Sequence, residues 1–129
     1  MTNAVLDASA ILALLKGERG ASKVASVVTN AVVSVFNQAE VVSHFVHLGA
    51  PVEEVRAMLD SLPYTVLAAG EALAWEAGAL RAATSAAGLS LGDRFCLALA
   101  KQLEVPAYTA DRAWKDIAGA AGVRVVAIR

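Results

Sequence analysis

The chain has 129 residues, 57% of them hydrophobic and 18% charged, with a formal net charge of −1. That suits one domain with a substantial core and excludes a disordered chain. It also argues against a protein that coats nucleic acid nonspecifically, because such proteins are usually basic.

Residues 4–6 (Ala-Val-Leu) read as a buried strand, and Asp7-Ala8-Ser9 opens a short helix through Leu15 that Gly17 and Gly20 break. Residues 22–29 predict a second helix and residues 32–36 a β-branched strand. Asn37 is positioned to cap a helix that runs to Leu48, with Gly49 as its stop. Pro51 suits the first turn of the next helix, which reaches about Leu62. Residues 64–67 predict a third strand, and a long alanine-rich helix follows over residues 71–86, ended by Gly88. Another helix runs from near Ser90 to near Leu103, and residues 105–109 predict a fourth strand. A short helix over 111–117 and the pair Gly119 and Gly122 lead into a last strand at 123–128. Strands alternating with helices imply an α/β fold, with a mostly parallel sheet flanked by helices on both faces. No linker or repeat divides residues 1–129.

Cys96 is the only cysteine, so neither an internal disulfide nor a thiolate zinc site is available. Met1-Thr2-Asn3 lacks the basic start of a signal peptide. The longest uncharged stretch, residues 24–39, is interrupted by Ser, Thr, Asn and Gln and reads poorly as a membrane span. A soluble, cytoplasmic protein is the expectation.

Four acids sit where predicted strands hand over to helices: Asp7, Glu40, Asp93 and Asp111. In an open α/β sheet those turns lie along one edge, where ligands bind. Acids gathered there repel one another unless a cation sits among them, which points to a divalent metal held by oxygen. Each acid also has a plain structural role available. Asp7 and Asp111 suit N-caps, and Asn37 with Glu40, like Ser90 with Asp93, has capping-box spacing. Spacing alone leaves both readings open.

Other chemistries fit the same edge poorly. The first turn, Asp7-Ala8-Ser9-Ala10, lacks the glycines of a dinucleotide or P-loop site. The acid pair and late lysine of a receiver domain are not visible, and no G-x-S-x-G elbow occurs. His44 and His47 fall four and seven residues after Glu40, on one helical stripe. Glu40 and His47 are then about 10 Å apart along the axis, too far for one zinc, so a polar stripe on the surface or a cleft wall is expected. Cys96 is expected in the core, and Trp75 and Trp114 as core or interface anchors. Arg94, Arg112 and Lys115 lie near the acids, as substrate-phosphate partners or as solvated surface charge.

Four segments occur in order across essentially the whole chain: Val5-Leu6-Asp7-Ala8-Ser9-Ala10, Gln38-Ala39-Glu40-Val41, Leu91-Gly92-Asp93-Arg94-Phe95-Cys96-Leu97-Ala98-Leu99-Ala100, and Tyr108-Thr109-Ala110-Asp111-Arg112-Ala113-Trp114. As a set they resemble a PIN domain, and specifically the VapC-type toxins of bacterial toxin–antitoxin pairs. The resemblance implies an endoribonuclease dependent on Mg²⁺ or Mn²⁺ that cleaves RNA through a metal-activated water. Carried over, Asp7, Glu40, Asp93 and Asp111 are the catalytic acids and the metal ligands. Ser9 and Thr109 match supporting hydroxyl positions, and Asp116 is an extra acid near the site. The resemblance also implies a VapB-like antitoxin partner, whose C-terminal segment blocks the acids. Residues 11–15 and 24–28 are candidates for its groove, and a homodimer is expected. The alternative is a PIN-like module that binds RNA or protein without turnover; the complete set of four acids favours the enzyme.

Overall fold

Five short strands build one sheet in a computed structural model that describes residues 1–129. They are β1 (Ala4–Leu6), β2 (Ala31–Ser34), β3 (Thr65–Leu67), β4 (Ala107–Thr109) and β5 (Val125–Ala127). The order across the sheet is β3-β2-β1-β4-β5, and every neighbouring pair is parallel. The helices are α1 (Ala8–Lys16), α2 (Ala21–Ala25), α3 (Val35–His47), α4 (Val52–Asp60), α5 (Glu71–Ala79), α6 (Arg81–Thr84), α7 (Leu91–Leu103) and α8 (Trp114–Ala121). The expected α/β class holds.

The winding places the site. From β1 the chain moves outward to β2 and β3, then returns to β4 on the other side of β1. The winding direction therefore reverses between β1 and β4, and a crevice opens at their C-terminal ends. Pairing there runs Val5 to Ala107 and Leu6 to Tyr108, and the Asp7 N–H extends it by donating to the Tyr108 carbonyl at 3.1 Å.

Side chains alternate between two cores, as strand geometry requires. Val5 and Val32 join the layer of Leu73, Leu97, Trp114 and Ile117, from α5, α7 and α8. Ala4, Leu6 and Val33 join the layer of Ile11, Val24, Val41 and Val55, from α1 to α4. A sheet buried on both faces needs apolar residues at every strand position, which is why β1 and β2 read as continuous apolar runs.

Several boundaries differ from the sequence expectation. Val35 and Phe36, predicted to end a strand, begin α3 instead. Ser34 is extended (φ −68°, ψ 148°) and its hydroxyl accepts from the Asn37 N–H, so Ser34 is the N-cap and Asn37 lies inside the first turn. The predicted helix over 71–86 breaks after Ala79. Thr84 is buried and donates its hydroxyl to the Leu80 carbonyl at 2.8 Å, a back-bond of the kind that bends helices. The helix predicted over 22–29 stops at Ala25, and a 3₁₀ turn, Val28–Asn30, leads into β2. The helix predicted over 111–117 starts later and runs through Gly119 to Ala121. Burial of Trp114, Ile117 and Ala121 outweighs the glycine, and Gly122 (φ 74°) ends it.

Gly20 has φ 98°, and a Cβ there would lie 2.6 Å from the Ile128 carbonyl oxygen; Gly17 (φ 63°) faces open space. Gly20→Ala is expected to cost about 2–4 kcal/mol in urea unfolding, adding a backbone clash to left-handed strain. Gly17→Ala should cost only about 1–2 kcal/mol, from the strain alone. Equal losses would mean that the Ile128 contact imposes no constraint.

Candidate active site

Asp7 follows β1 directly, in an extended conformation (φ −84°, ψ 175°), and caps α1 through a bond from the Ala10 N–H to Oδ1 at 2.8 Å. The Ser9 hydroxyl lies 2.7 and 2.9 Å from the two carboxylate oxygens, and the Thr109 hydroxyl donates to Oδ2 at 2.6 Å. Both hydroxyls also accept backbone protons from the turn after β4: Ala110 N–H to Ser9 at 2.9 Å, and Asp111 N–H to Thr109 at 3.1 Å. The side chain is 4% exposed. Burial pushes its carboxyl up to about 6. The bonds from Thr109, Ala10 and Ser9 pull the other way, and the charge of Asp93 adds to the rise.

Glu40, on α3, is half-buried and accepts from Asn37 Nδ2 at 2.7 Å. Burial raises its carboxyl, the Asn37 bond lowers it, and the Asp93 charge raises it again. Asp93 closes a capping box at the start of α7: its Oδ2 accepts from the Ser90 N–H at 2.9 Å, and its N–H donates to the Ser90 hydroxyl at 3.2 Å. Capping and clustering are therefore not exclusive at this residue. Burial of Cys96 pushes its thiol well up, and the charges of Asp7, Asp93 and Glu40 add to that. The Asp93 charge thus acts on both Asp7 and Glu40, and all three acids act on one buried neighbour, Cys96. Asp111 is at the same sheet edge but exposed, its Oδ1 accepting from the Ala113 N–H at 2.9 Å. Asp116 is exposed in the first turn of α8.

Residues 4–120 match the family model of the PIN domain. The chain belongs to the PIN domain family. Its fold is similar to a toxin–antitoxin complex from Klebsiella pneumoniae, at 20% identity and TM-score 0.75, covering 98% of each chain. It is similar to DNA-bound VapBC from Salmonella typhimurium, at 16% identity and TM-score 0.76, covering all of both chains. FitAcB from Neisseria gonorrhoeae matches at 20% identity and TM-score 0.75, over 97% of each chain. No curated protein matches the sequence.

In this PIN domain no three acids, histidines or cysteines converge into a ready-made metal cage. Magnesium-like ions do not need one. They bind through one or two carboxylates and keep several waters. The four acids and the Ser9 and Thr109 hydroxyls offer only oxygen donors, and no basic side chain pairs with the buried Asp7. That donor set fits a hydrated hard dication better than zinc.

The remaining candidates sort by burial. Glu40, His44 and His47 line an open cleft of about 500 Å³ with Phe36, Ala39 and Ser43. His44 Nε2 sits 3.2 Å from Lys16 Nζ, and His47 is exposed, which agrees with a cleft-wall stripe. Arg94 is neither a phosphate partner nor a solvated charge. It is 7% exposed, donates to the Ala77 carbonyl at 3.2 Å, and leaves a buried Nε unpaired. Arg112 is exposed and donates to the Arg129 carbonyl; Lys115 is exposed. Trp114 is a core residue, whereas Trp75 is 74% exposed and takes no part in the core. The sequence reading paired Asn37 with Glu40 as a capping box; with Ser34 as the N-cap, the contact is instead the Asn37 side-chain amide donating to the Glu40 carboxylate. The available signal for that was the i, i+3, i+6 series Ser34, Asn37, Glu40.

Between pH values of about 4 and 6 the folded, metal-free chain holds a proton on Asp7 that the unfolded chain has released. The contribution of this group is therefore full below about pH 4 and declines by about 3 kcal/mol as pH rises from about 4 through about 6. Asp7→Asn removes that decline. In EDTA at about pH 7.5 the variant should unfold at higher urea than wild type, with the gap closing toward pH 4. A gap that does not change with pH would overturn the burial account.

Proposed function

We propose that this PIN domain is the toxin of a toxin–antitoxin pair and acts as an endoribonuclease dependent on Mg²⁺ or Mn²⁺. The observation that carries the reading is the buried Asp7 carboxylate at the point where the winding reverses, coupled through charge to Asp93. Asp93 is in turn coupled to Glu40. Asp7, Glu40, Asp93 and Asp111 are the acids that would hold the cation, one or two of them directly and the others through its bound waters. Ser9 and Thr109 orient Asp7 and keep its carboxylate from rotating. When bound, the ion supplies stabilisation of charge on phosphate oxygens and lowers the pKa of water. The carboxylates then serve to align the attacking water with the scissile phosphate. No nucleophilic side chain is required, and hydrolysis by water would leave 5′-phosphate and 3′-hydroxyl ends.

The likeness to solved toxin–antitoxin complexes supports a VapB-like antitoxin as partner. Of the apolar residues first considered for its groove, Ile11, Val24 and Val28 are buried in the core. Leu12, Leu14, Leu15 and Val27 are only partly buried and remain candidates. A homodimer is part of the same reading. The alternative, a PIN-like module that binds without turnover, is disfavoured by the presence of all four acids, with the Asp93 charge acting on both Asp7 and Glu40. No helix is long and apolar enough to cross a membrane.

Cleavage of RNA in Mn²⁺ buffer tests the reading. Asp7→Asn and Asp93→Asn should each lower the rate at least about 100-fold while circular dichroism stays native. Expression of the wild type alone should stop growth, and expression of either variant should not. Equal toxicity of folded wild type and folded Asp7→Asn would favour sequestration of a partner over catalysis.

A further inference from the structure

Asn37 and Gly92 carry no charge and lie outside the acid set, yet both touch Glu40. Asn37 is fully buried. Ser34 anchors one end: its hydroxyl donates to Asn37 Oδ1 at 2.9 Å and accepts from the Asn37 N–H at 3.1 Å. At the other end Nδ2 donates to Glu40 Oε1 at 2.7 Å and to the Gly92 carbonyl at 3.1 Å. Both Nδ2 protons are thereby used. A flipped amide would set Oδ1 against a carboxylate and a carbonyl, two acceptors, so only one orientation is satisfied.

Gly92 is the second residue of α7 and does not have a left-handed backbone. Glycine is also less favourable than alanine inside a helix. What calls for it is space. A Cβ would lie 2.5 Å from Glu40 Oε2 and 2.7 Å from its Cδ and Oε1. The carboxylate rests on the bare backbone of α7, one residue before Asp93.

We propose that Asn37 and Gly92 are positioning residues that hold the Glu40 carboxylate against the first turn of α7, beside Asp93, in the attitude that binds a divalent cation. The inference rests on the reading of Glu40 as a metal-holding acid. Asn37 engages Oε1, which leaves Oε2 for the ion. Gly92 sets how closely the carboxylate approaches Asp93. Both act through Glu40 and neither needs to touch substrate.

The test is Mn²⁺ titration calorimetry on the full chain without RNA, with wild type, Gly92→Ala, Glu40→Ala and the double variant. Urea unfolding of the same four in EDTA runs alongside. Gly92→Ala should weaken Mn²⁺ binding about 10- to 100-fold when Glu40 is present, and have no further effect when it is alanine. Its effect on the urea midpoint should be more favourable in the second background, where space is free and alanine favours the helix, than in the first, where the Glu40 carboxylate must shift. Asn37→Asp keeps the size and reverses the donor, so it should weaken Mn²⁺ binding by a similar factor; it carries the test if Gly92→Ala does not fold. Equal effects of Gly92→Ala in both backgrounds overturn the proposal. So does unchanged Mn²⁺ affinity in folded Gly92→Ala and Asn37→Asp while Glu40→Ala weakens it, a result that leaves the functional reading intact. Unchanged affinity in Glu40→Ala removes Glu40 from the metal site and overturns the positioning role with it, whereas loss of binding only in Asp7→Asn or Asp93→Asn would keep the nuclease reading on those acids.

Discussion

One buried carboxylate ties the two halves of the sheet together. Asp7 starts α1 by capping it, and takes hydrogen bonds from Ser9 on its own helix and Thr109 on β4. Those two hydroxyls in turn receive the backbone N–H groups of Ala110 and Asp111. The exit of β1 and the exit of β4 are thus bound into one polar network at the place where the winding reverses. Hydrogen bonds to a charged group contribute about 1.5–3 kcal/mol each, but removing a carboxylate from water costs more than such bonds return here. The raised carboxyl of Asp7 records which effect wins.

Helix α7 is the scaffold against which Asp93 and Glu40 are arranged. Residues from Phe95 to Ala100 are buried along its length, and full burial of Leu97 contributes about 2–3 kcal/mol. Such a helix has little freedom to slide, so its first turn is presented to the crevice at a defined height. The capping box holds Asp93 there, and the Phe36–Phe95 stack (centroids 4.7 Å apart, planes at 11°) seats the start of α3 against it. An aromatic pair of this kind adds about 0.5–1.5 kcal/mol beyond its burial. Glu40 arrives on the next turn of α3, so the separation of Glu40 from Asp93 follows from helix packing and not from the acids themselves.

Charge elsewhere does not relieve this edge. The two salt bridges, Lys101–Glu76 and Arg129–Glu18, involve none of the four acids and are largely exposed, where such pairs contribute about 0–1 kcal/mol. Arg94 follows Asp93 in sequence, but helical geometry turns it into the layer under α5. The protein is nearly neutral overall, yet no basic side chain pairs with any of the four acids. A cation from outside the chain is the partner the proposed chemistry requires.

The class of the fold was legible because period and punctuation are local. Apolar triplets such as Ala4-Val5-Leu6, followed by a capping residue and a helical run, announce a parallel sheet without any knowledge of contacts. The family was legible for a related reason: Asp7, Glu40, Asp93 and Asp111 each sit in a short recognisable segment, and the order of those segments can be read directly along the chain. Element ends were less legible. Val35-Phe36 has strand-like residues, yet the Ser34 cap makes it helical, and Gly119 stays in α8 because Trp114 and Ala121 bury on either side of it. What only the tertiary structure decided was which residues meet. Asn37 reaching Gly92 across 55 positions, Thr109 reaching Asp7 across 102, and Arg94 turned inward all depend on how helices pack against the sheet. Sequence spacing records neighbours along a helix or strand. It carries no measure of the distance between two elements, and the charge, burial and orientation of each acid depend on that distance.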